Sequence, residues 1–569
     1  MASLQRHVVR GRSYWRIVES RRVNGKPRAV PLLYLGTADA LLDRLLAAPS
    51  GRLPIRSFQH GAVAALTAAA QRLGIVSLID RLLPEQPHRF PSVGTTLLLG
   101  ALNRAIRPRS KRGWATWAAE TSLPRLFPGL QPDTLTSQFF WDQMNAVSLE
   151  ALAAIENELT RTVVGELGIQ LDTLFYDTTN FFTYIASTNT RPKLPQRGHS
   201  KQHRGDLRLF SLALLVSRDG QIPLASQVYE GNKADAKLFP ESLSRIRQRL
   251  ADLALDLDQI TVVYDKGNLS KANQALVDGA PFGYVASLTP AHHRELLAIP
   301  AARYQPLSGG PLEGVRVHRL RREIWGAGRT VVLLISEQLR AGQMRGLEQH
   351  LGKRLKALAA WKEQLAKPRS GPRSEESVRR RIEQLRSGQY IGEVLQVEFD
   401  PRRKGAERLR YGVEQAARKH LETEVFGKRI LVTNRAEWSS EEIVLAYRGQ
   451  HQVEAVFRQT KDDEHLAIRP QYHWTDHKIQ VHTFVCLLAL LLARMVEREA
   501  RRRGRTEGLS GLLELLGRVR LAMVLRPSGK QGGRPRAEWQ LEAGPADATD
   551  FFRQIVPDRP PFVYTDASA

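Results

Sequence analysis

The spacing of apolar residues changes near Gly168, and the change separates two kinds of architecture. From about His60 to Leu167, the stretches AVAALTAAAQRLGIVSLIDRLLP, TTLLLGALNRAI and SLEALAAIENELTRTVVGEL repeat apolar side chains at three- and four-residue spacing, as helices burying one face do. Beyond Gly168 the apolar runs are short and unbroken. Leu174-Phe175-Tyr176 runs into Asp177, and Ile260-Thr261-Val262-Val263-Tyr264 runs into Asp265. Such runs, without polar alternation, suit strands covered on both faces. Between them, LRLFSLALLVSRDGQIPLASQVYEG reads as two strands turning at Asp219-Gly220, followed by a helix with Leu238, Leu243, Ile246 and Leu250 on one side. SKANQALVDG and FGYVASL add a short helix and a strand. The order strand-strand-strand-helix-strand-helix-strand predicts an α/β fold with a mixed sheet flanked by helices.

Charge points to the partner. The 569 residues carry 84 Lys plus Arg against 58 Asp plus Glu, a net charge of +26. Such an excess favours a polyanion, nucleic acid first, although a ribosomal or membrane-surface protein has the same balance. The single cysteine, Cys486, excludes an intramolecular disulfide and any multi-cysteine metal cluster, which suits a reducing cytoplasm. The opening MASLQRHVVRGRSYW has no apolar run of the signal-peptide kind, and Thr483–Ala493 falls short of the ~20 residues that span a bilayer. A cytoplasmic, nucleoid-associated protein without a membrane segment is expected. No Gly-Lys pair continues into a phosphate loop, because Pro27, Arg354, Arg429 and Gln531 follow, so no nucleotide cofactor is expected.

Six segments are expected. Residues 1–45 form a basic β-hairpin arm turning at Asn24-Gly25, with Arg6, Arg10, Arg12, Arg16, Arg21, Arg22, Lys26 and Arg28 around Tyr14 and Trp15. The arm reads equally as a grip on phosphates or as a solvated hairpin. Residues 50–167 form a helical DNA-binding domain whose loop Arg107–Trp114 presents Arg109, Lys111 and Arg112 to a DNA backbone. The sheet described above occupies 168–289. Residues 290–426 read as an insertion, with strands VRVHRL and RTVVLLIS and a helical hairpin striped by Leu351, Leu355, Leu358 and Leu365, then Val378, Ile382 and Leu385. In 427–498 a strand, Arg429–Thr433, precedes Ser439, which with Glu442 predicts a capping box opening one long helix through Lys461. The next helix, HKIQVHTFVCLLALLLARMVERE, is apolar almost all round and expected to be buried. Residues 499–569 read as a basic, glycine-rich tail.

The chemistry is expected at three acids. Asp177 and Asp265 each end a short strand, and adjacent parallel strands bring such residues together. Glu454 lies in YRGQHQVEAVFRQTK, where Tyr447, Glu454 and Lys461 are seven apart and fall near one face of a continuous helix, with Gln450 and Arg458 between them. Three gathered acids repel one another unless a divalent cation neutralises them, and hard oxygen donors suit Mg²⁺ or Mn²⁺. Taken singly, Asp177 also reads as a turn residue, Asp265 as a helix cap, and Glu454 as the ion-pair partner of Arg458. Asp172 is a rival first acid, but it precedes its strand. His199 and His203 stand four apart, as metal ligands on a helix do, yet Pro195, Gly198 and Gly205 make their segment loop-like. Trp114, Trp117 and Trp325 read as core or interface residues.

The motifs YDTTNF, VVYDKGN and Y-x2-Q-x3-E-x6-K resemble the three acidic motifs of bacterial insertion-sequence transposases of the DDE type. The resemblance is to the insertion-sequence-four superfamily, in particular its long members with the Tyr/Arg/Glu/Lys signature, which carry segments like RGHSKQHRGDL and YEGNKADAK between the first two acids. It spans about Leu171 to Ala493. It implies a ribonuclease-H-like core interrupted between the second Asp and the Glu by a mostly β insertion, two catalytic Mg²⁺ ions held by Asp177, Asp265 and Glu454, with Mn²⁺ as a substitute, and phosphate contacts by Tyr447 and Lys461. The helical hairpin at about 343–386 is additional to that insertion. Gln450 replaces the arginine usual three residues after the tyrosine, leaving Arg448 and Arg458 as nearby charges and making arginine at 450 an expected gain. Lys201 and Arg204, in RGHSKQHR, are expected against DNA. The partners implied are double-stranded DNA, at transposon ends and target, and a second copy in a homodimer on DNA. Two alternatives remain: a Mg²⁺-dependent nuclease without strand transfer, and a non-catalytic DNA-binding derivative.

Overall fold

The computed structural model describes all residues except 1, 10, 24–25, 47–54, 85–89, 109, 199–203, 254–255, 368–373, 470, 527–535 and 567–569. Arg109, His199, Lys201 and His203, the Asn24-Gly25 turn and most of the GKQGGRPR stretch lie outside the described residues. The N-terminal segment forms three antiparallel strands, β1 (Ala2–Val9), β2 (Arg12–Val23) and β3 (Lys26–Gly36), in that order, followed by α1 (Ala38–Leu46). Where one hairpin was expected, Gly11 at φ +75° turns the chain once more and adds β1.

After β4 (Ile55–Gln59), the helical pattern resolves into α2 (Gly61–Arg72), α3 (Ile75–Arg81), α4 (Val93–Ile106), α5 (Trp114–Glu120), α6 (Leu123–Leu126), α7 (Ser137–Asn145) and α8 (Leu149–Leu167). Ser92, Thr136 and Ser148 cap α4, α7 and α8, each accepting a hydrogen bond from the amide three residues on. Gly168, left-handed at φ +56°, ends α8 where the apolar period changes. Trp114 and Trp117 are core residues, both buried.

The sheet that follows contains β5 (Thr173–Phe182), β6 (Leu209–Ser217), β7 (Pro223–Glu230), then α9 (Asp235–Asp252), β8 (Thr261–Tyr264), α10 (Lys271–Asp278) and β9 (Gly283–Leu288). Hairpins make β5, β6 and β7 antiparallel, and the helical crossovers make β5, β8 and β9 parallel. Phe239 of α9 packs on Tyr176 and Tyr264, so the even-numbered side chains of β5 and β8 face α9.

The stretch expected as one insertion divides in two. After α11 (Arg294–Leu297), β10 (Gln305–Pro306), β11 (Val315–Ile324) and β12 (Ala327–Ser336) join the main sheet. They do so because Val331–Leu334 of β12 are buried apolar residues that need covering on both faces. The remainder has its own core. Helices α12 (Glu337–Ala366), α13 (Glu375–Arg386) and α14 (Ile391–Val394), the hairpin of β13 (Leu395–Phe399) and β14 (Leu409–Val413), and α15 (Gln415–His420) enclose Leu351, Leu358, Trp361, Leu365, Val378 and Leu385.

The chain returns to the main sheet as β15 (Lys428–Thr433), giving the order β10-β11-β12-β15-β9-β8-β5-β6-β7. Then come α16 (Ser440–Arg448), α17 (His451–Gln459) and α18 (Asp476–Arg502). By length and composition α18 could cross a membrane, but 94% of its apolar window is buried inside the fold. The segment expected as a tail folds into α19 (Leu509–Gly517), β16 (Arg520–Arg526), β17 (Arg536–Leu541), α20 (Ala546–Ile555) and β18 (Thr565–Asp566). Strand β16 pairs with β4, and the amides of His60 and Gly61 donate to the Val519 carbonyl, so the C-terminal segment closes on the start of the helical domain.

Candidate active site

Strands β5 and β8 run in parallel register, with Tyr176 opposite Tyr264. Asp177 and Asp265 are the next residues on each, so the carboxylates start side by side on the face opposite α9. Ser287 on β9 extends the row, because Ala286 is the partner of Tyr264. Asp177 is not at a strand end, as expected, but in mid-strand. Strand β8 stops at Tyr264 whereas β5 continues to Phe182, paired with β6 alone, which leaves Asp177 at a step in the sheet. A mid-strand residue is no turn former, and Asp265 precedes the turn at Lys266–Asn268 without capping it by its side chain. Asp172 is engaged elsewhere, paired with Arg218 at 2.6 Å.

The long helix expected from Ser439 to Lys461 is two helices. The capping box forms: Ser439 Oγ accepts from the Glu442 amide at 3.1 Å, and the Glu442 carboxylate accepts from the Ser439 amide at 2.7 Å. The helix then breaks at Gly449-Gln450. A Cβ on Gly449 would stand 2.3 Å from Cζ of Phe175, on the same face of β5 as Asp177, so only glycine permits this approach. The break redistributes the residues expected on one helical face. Tyr447 and Gln450 are buried, Glu454 and Arg458 are exposed, and Lys461 lies just beyond the end of α17.

Tyr447 turns inward, away from any phosphate. Its hydroxyl donates to Asp265 Oδ1 at 2.9 Å, and the Arg429 guanidinium lies 5.0 Å from its ring centre. Burial, reinforced by the Asp265 charge and opposed by Arg429, pushes the phenol well above its ordinary pKa, so it stays a neutral donor. Lys461 Nζ donates to Thr179 Oγ1 at 2.6 Å and lies 5.5 Å from the ring centre of Phe181. Thr179 and Phe181 share the face of Asp177. Helix α17 is therefore anchored over Phe175 at one end and near Thr179 at the other, and the stretch bearing Glu454 runs between these anchors.

Glu454 and Arg458 make no ion pair with each other. Among the described residues, no group of three or more His, Cys, Asp or Glu is gathered closely enough to hold a metal ion. The donor chemistry of the two neighbouring aspartates nonetheless fits a hard divalent cation.

Of the cations expected against DNA, Lys111 is withdrawn. Its ammonium lies 3.2 Å from His473 Nε2 and 3.0 Å from His482 Nδ1, and burial, helped by Arg104, pulls it well below the ordinary lysine pKa. A loop that donates its lysine to two imidazoles inside the fold cannot extend it to a phosphate. Arg448 donates to the Pro311 carbonyl. Arg112 and Arg204 are exposed, the latter pairing with Asp206 at 2.8 Å and lying over Phe182. Two residues were missed. Ser287 was legible in principle, since FGYVASL reads as the third parallel strand. Arg469, which donates to the Lys461 carbonyl at 2.8 Å and lies 4.6 Å from the ring centre of Phe182, has no sequence signal.

No known family and no curated protein matches the chain. Among solved structures, it is similar to the piggyBac transposase in a synaptic complex with hairpin DNA, at TM-score 0.38 and 7% identity, covering 80% of this chain and 79% of that one. At that level of likeness, the functional reading rests on the site itself.

Proposed function

We propose that the chain is a DNA transposase, which binds the inverted repeats ending a mobile DNA segment, cuts there, and joins the freed ends to target DNA. One observation carries this reading: Asp177 on β5 and Asp265, just past the end of the parallel β8, start side by side at a step in the sheet, with α17 anchored across the same face. The order β7-β6-β5-β8-β9, antiparallel hairpins followed by parallel crossovers, supports a ribonuclease-H-like core. Asp177 and Asp265 would hold Mg²⁺ or Mn²⁺, Glu454 would complete the set from α17 although it is not gathered with them here, and such ions would neutralise a scissile phosphate and activate the attacking oxygen.

The protein's own groups have distinct tasks. Tyr447 donates to Asp265 and so limits the rotation of that carboxylate. Lys461, held by Thr179, places a positive charge two residues along β5 from Asp177, where it would meet a phosphate of the bound end. Arg458 is exposed one turn beyond Glu454 and extends that charge along the DNA. Arg112 and Arg204, with the +26 net charge, supply sequence-independent attraction to the backbone. In-line displacement needs no protein–DNA bond. Joining two ends calls for two copies acting together on DNA, in the cytoplasm where the nucleoid lies.

The test uses DNA flanking the protein's own reading frame. Asp177→Asn, Asp265→Asn and Glu454→Gln should each lower cleavage at least a hundredfold with Mg²⁺ while leaving end binding within about twofold, since affinity comes mainly from phosphate contacts. Near-normal cleavage by any one variant removes that residue from the set. Supplying a pre-cut end separates the alternatives: joined products distinguish a transposase from a nuclease, and absence of all cleavage by the wild type points to a non-catalytic derivative.

A further inference from the structure

The extended segment Gln471-Tyr472-His473-Trp474 alternates its side chains in and out. Gln471 is fully buried and His473 turns inward to Lys111, whereas Tyr472 and Trp474 are 57% and 38% exposed. A second ring supports each outward ring. Tyr184, itself 44% exposed, stacks on Tyr472 with centroids 5.2 Å apart, and Trp141 stacks on Trp474 at 5.5 Å. The Tyr184 amide donates to the Gln471 carbonyl, which holds the two segments together. Three arginines surround the rings. Arg191 lies over Trp474 at 5.4 Å, while Arg204 and Arg469 lie over Phe182, whose ring meets Tyr184 edge-on.

The placement relates this surface to the candidate active site. Strand β5 leads from Asp177 to Phe182 and on to Tyr184, seven residues, or roughly 23 Å if extended. Arg469 joins the two regions directly, because it donates to the Lys461 carbonyl while covering Phe182. Exposed aromatic rings are costly in water unless something covers them, and rings held in place by a partner ring present a flat face at little entropic cost. Arg204 pairs with Asp206 and Arg469 with Asp463, so with Arg191 the three guanidinium groups keep a net positive charge, which favours an anionic occupant. Flat rings and cations together match an unpaired nucleic acid strand, whose bases stack on aromatic rings while its phosphates meet arginines. A paired duplex keeps all but its terminal base faces inside its own stack and has little to offer the rings.

We propose that Tyr184, Tyr472 and Trp474 form a stacking platform for unpaired bases of a DNA strand leaving the active site on the Lys461 side. This rests on the DNA-acting reading above, but it is tested by binding alone. The full-length protein in EDTA is titrated with a labelled blunt duplex, and with the same duplex carrying a single-stranded extension of about ten nucleotides on either strand. The wild type should prefer one extended duplex. Tyr472→Ala and Trp474→Ala should each reduce affinity for it roughly tenfold, as loss of a base–aromatic stack does, with blunt-duplex affinity within about twofold. Tyr472→Phe, which keeps the ring, should retain the preference. Because both rings are exposed, thermal melts of the alanine variants should match the wild type.

Absence of any preference in the wild type overturns the proposal, as does an equal loss on blunt DNA. Tighter binding of an RNA extension overturns the assignment to DNA. If Tyr472→Ala instead lowers the mass of the protein in solution, a second copy covers the rings and the proposal fails. The two readings fail separately. Asp177→Asn should keep the preference, so a lost preference with acid-dependent cleavage sinks the platform alone, and a kept preference with acid-independent cleavage sinks the catalytic assignment alone.

Discussion

At the scale of single residues, Gln450 shows what a heptad argument leaves out. Seven-residue spacing put positions 447, 450, 454 and 461 near one helical face, where arginine at 450 would share a phosphate with Lys461. In the fold, Gln450 is 7% exposed at the break between α16 and α17. An arginine there buries a guanidinium without a partner, so Gln450→Arg should destabilise the protein by about 3 kcal/mol, read by urea unfolding, and strand joining should fall with it. Increased joining at unchanged stability would restore the original expectation. The same scale shows what residue pattern could place: the two aspartates were legible as neighbours because each follows an apolar run, and the parallel register sets those runs side by side. Lys111 was not, because nothing local to a basic loop says which cation will be drawn inside.

At the scale of elements, the approach of α17 to β5 depends on Gly449. The capping box at Ser439 was readable, since its two hydrogen bonds join residues three apart. The break was not, since it is set by Phe175, far away in sequence. Gly449→Ala should force the helices from the sheet, lower stability by about 1–3 kcal/mol and reduce cleavage at least tenfold. Trimming the opposing ring in Gly449→Ala/Phe175→Leu should recover part of both losses, measured by melting and by cleavage of a flanking-DNA substrate. If Gly449→Ala alone behaves as wild type, the close approach does not position the site.

At the scale of the whole molecule, the closure of the C-terminal segment on the start of the helical domain should be sensitive to acid. His60, between β4 and α2, is buried, with Nδ1 2.7 Å from Ser122 Oγ and its ring against Phe552 and Tyr564. Burial first, and then Arg125, lowers its pKa to about 3. Between about 3 and the ordinary value of about 6.5, the unfolded chain binds a proton that the folded one refuses, so the stabilisation is complete above that window and is lost as pH falls through it. His60→Gln should flatten the pH dependence of urea unfolding there by up to about 1.4 kcal/mol per pH unit. An unchanged slope would place the acid sensitivity elsewhere.

The sequence by itself determined the properties that depend on neighbours along the chain: the change of period at Gly168, the order of strands and helices in the central sheet, the capping box, and the two acids following apolar runs. Each is local because hydrogen bonding in turns and caps, and the alternation of side chains, act over a few residues. Tertiary structure alone decided what depends on packing between distant segments. It recruited β10, β11 and β12 into the main sheet, folded the basic C-terminal segment against β4, broke the helix at Gly449 and turned Tyr447 onto Asp265. In each case the partner lies tens to hundreds of residues away, and burial of apolar surface selects among arrangements that local pattern leaves equal.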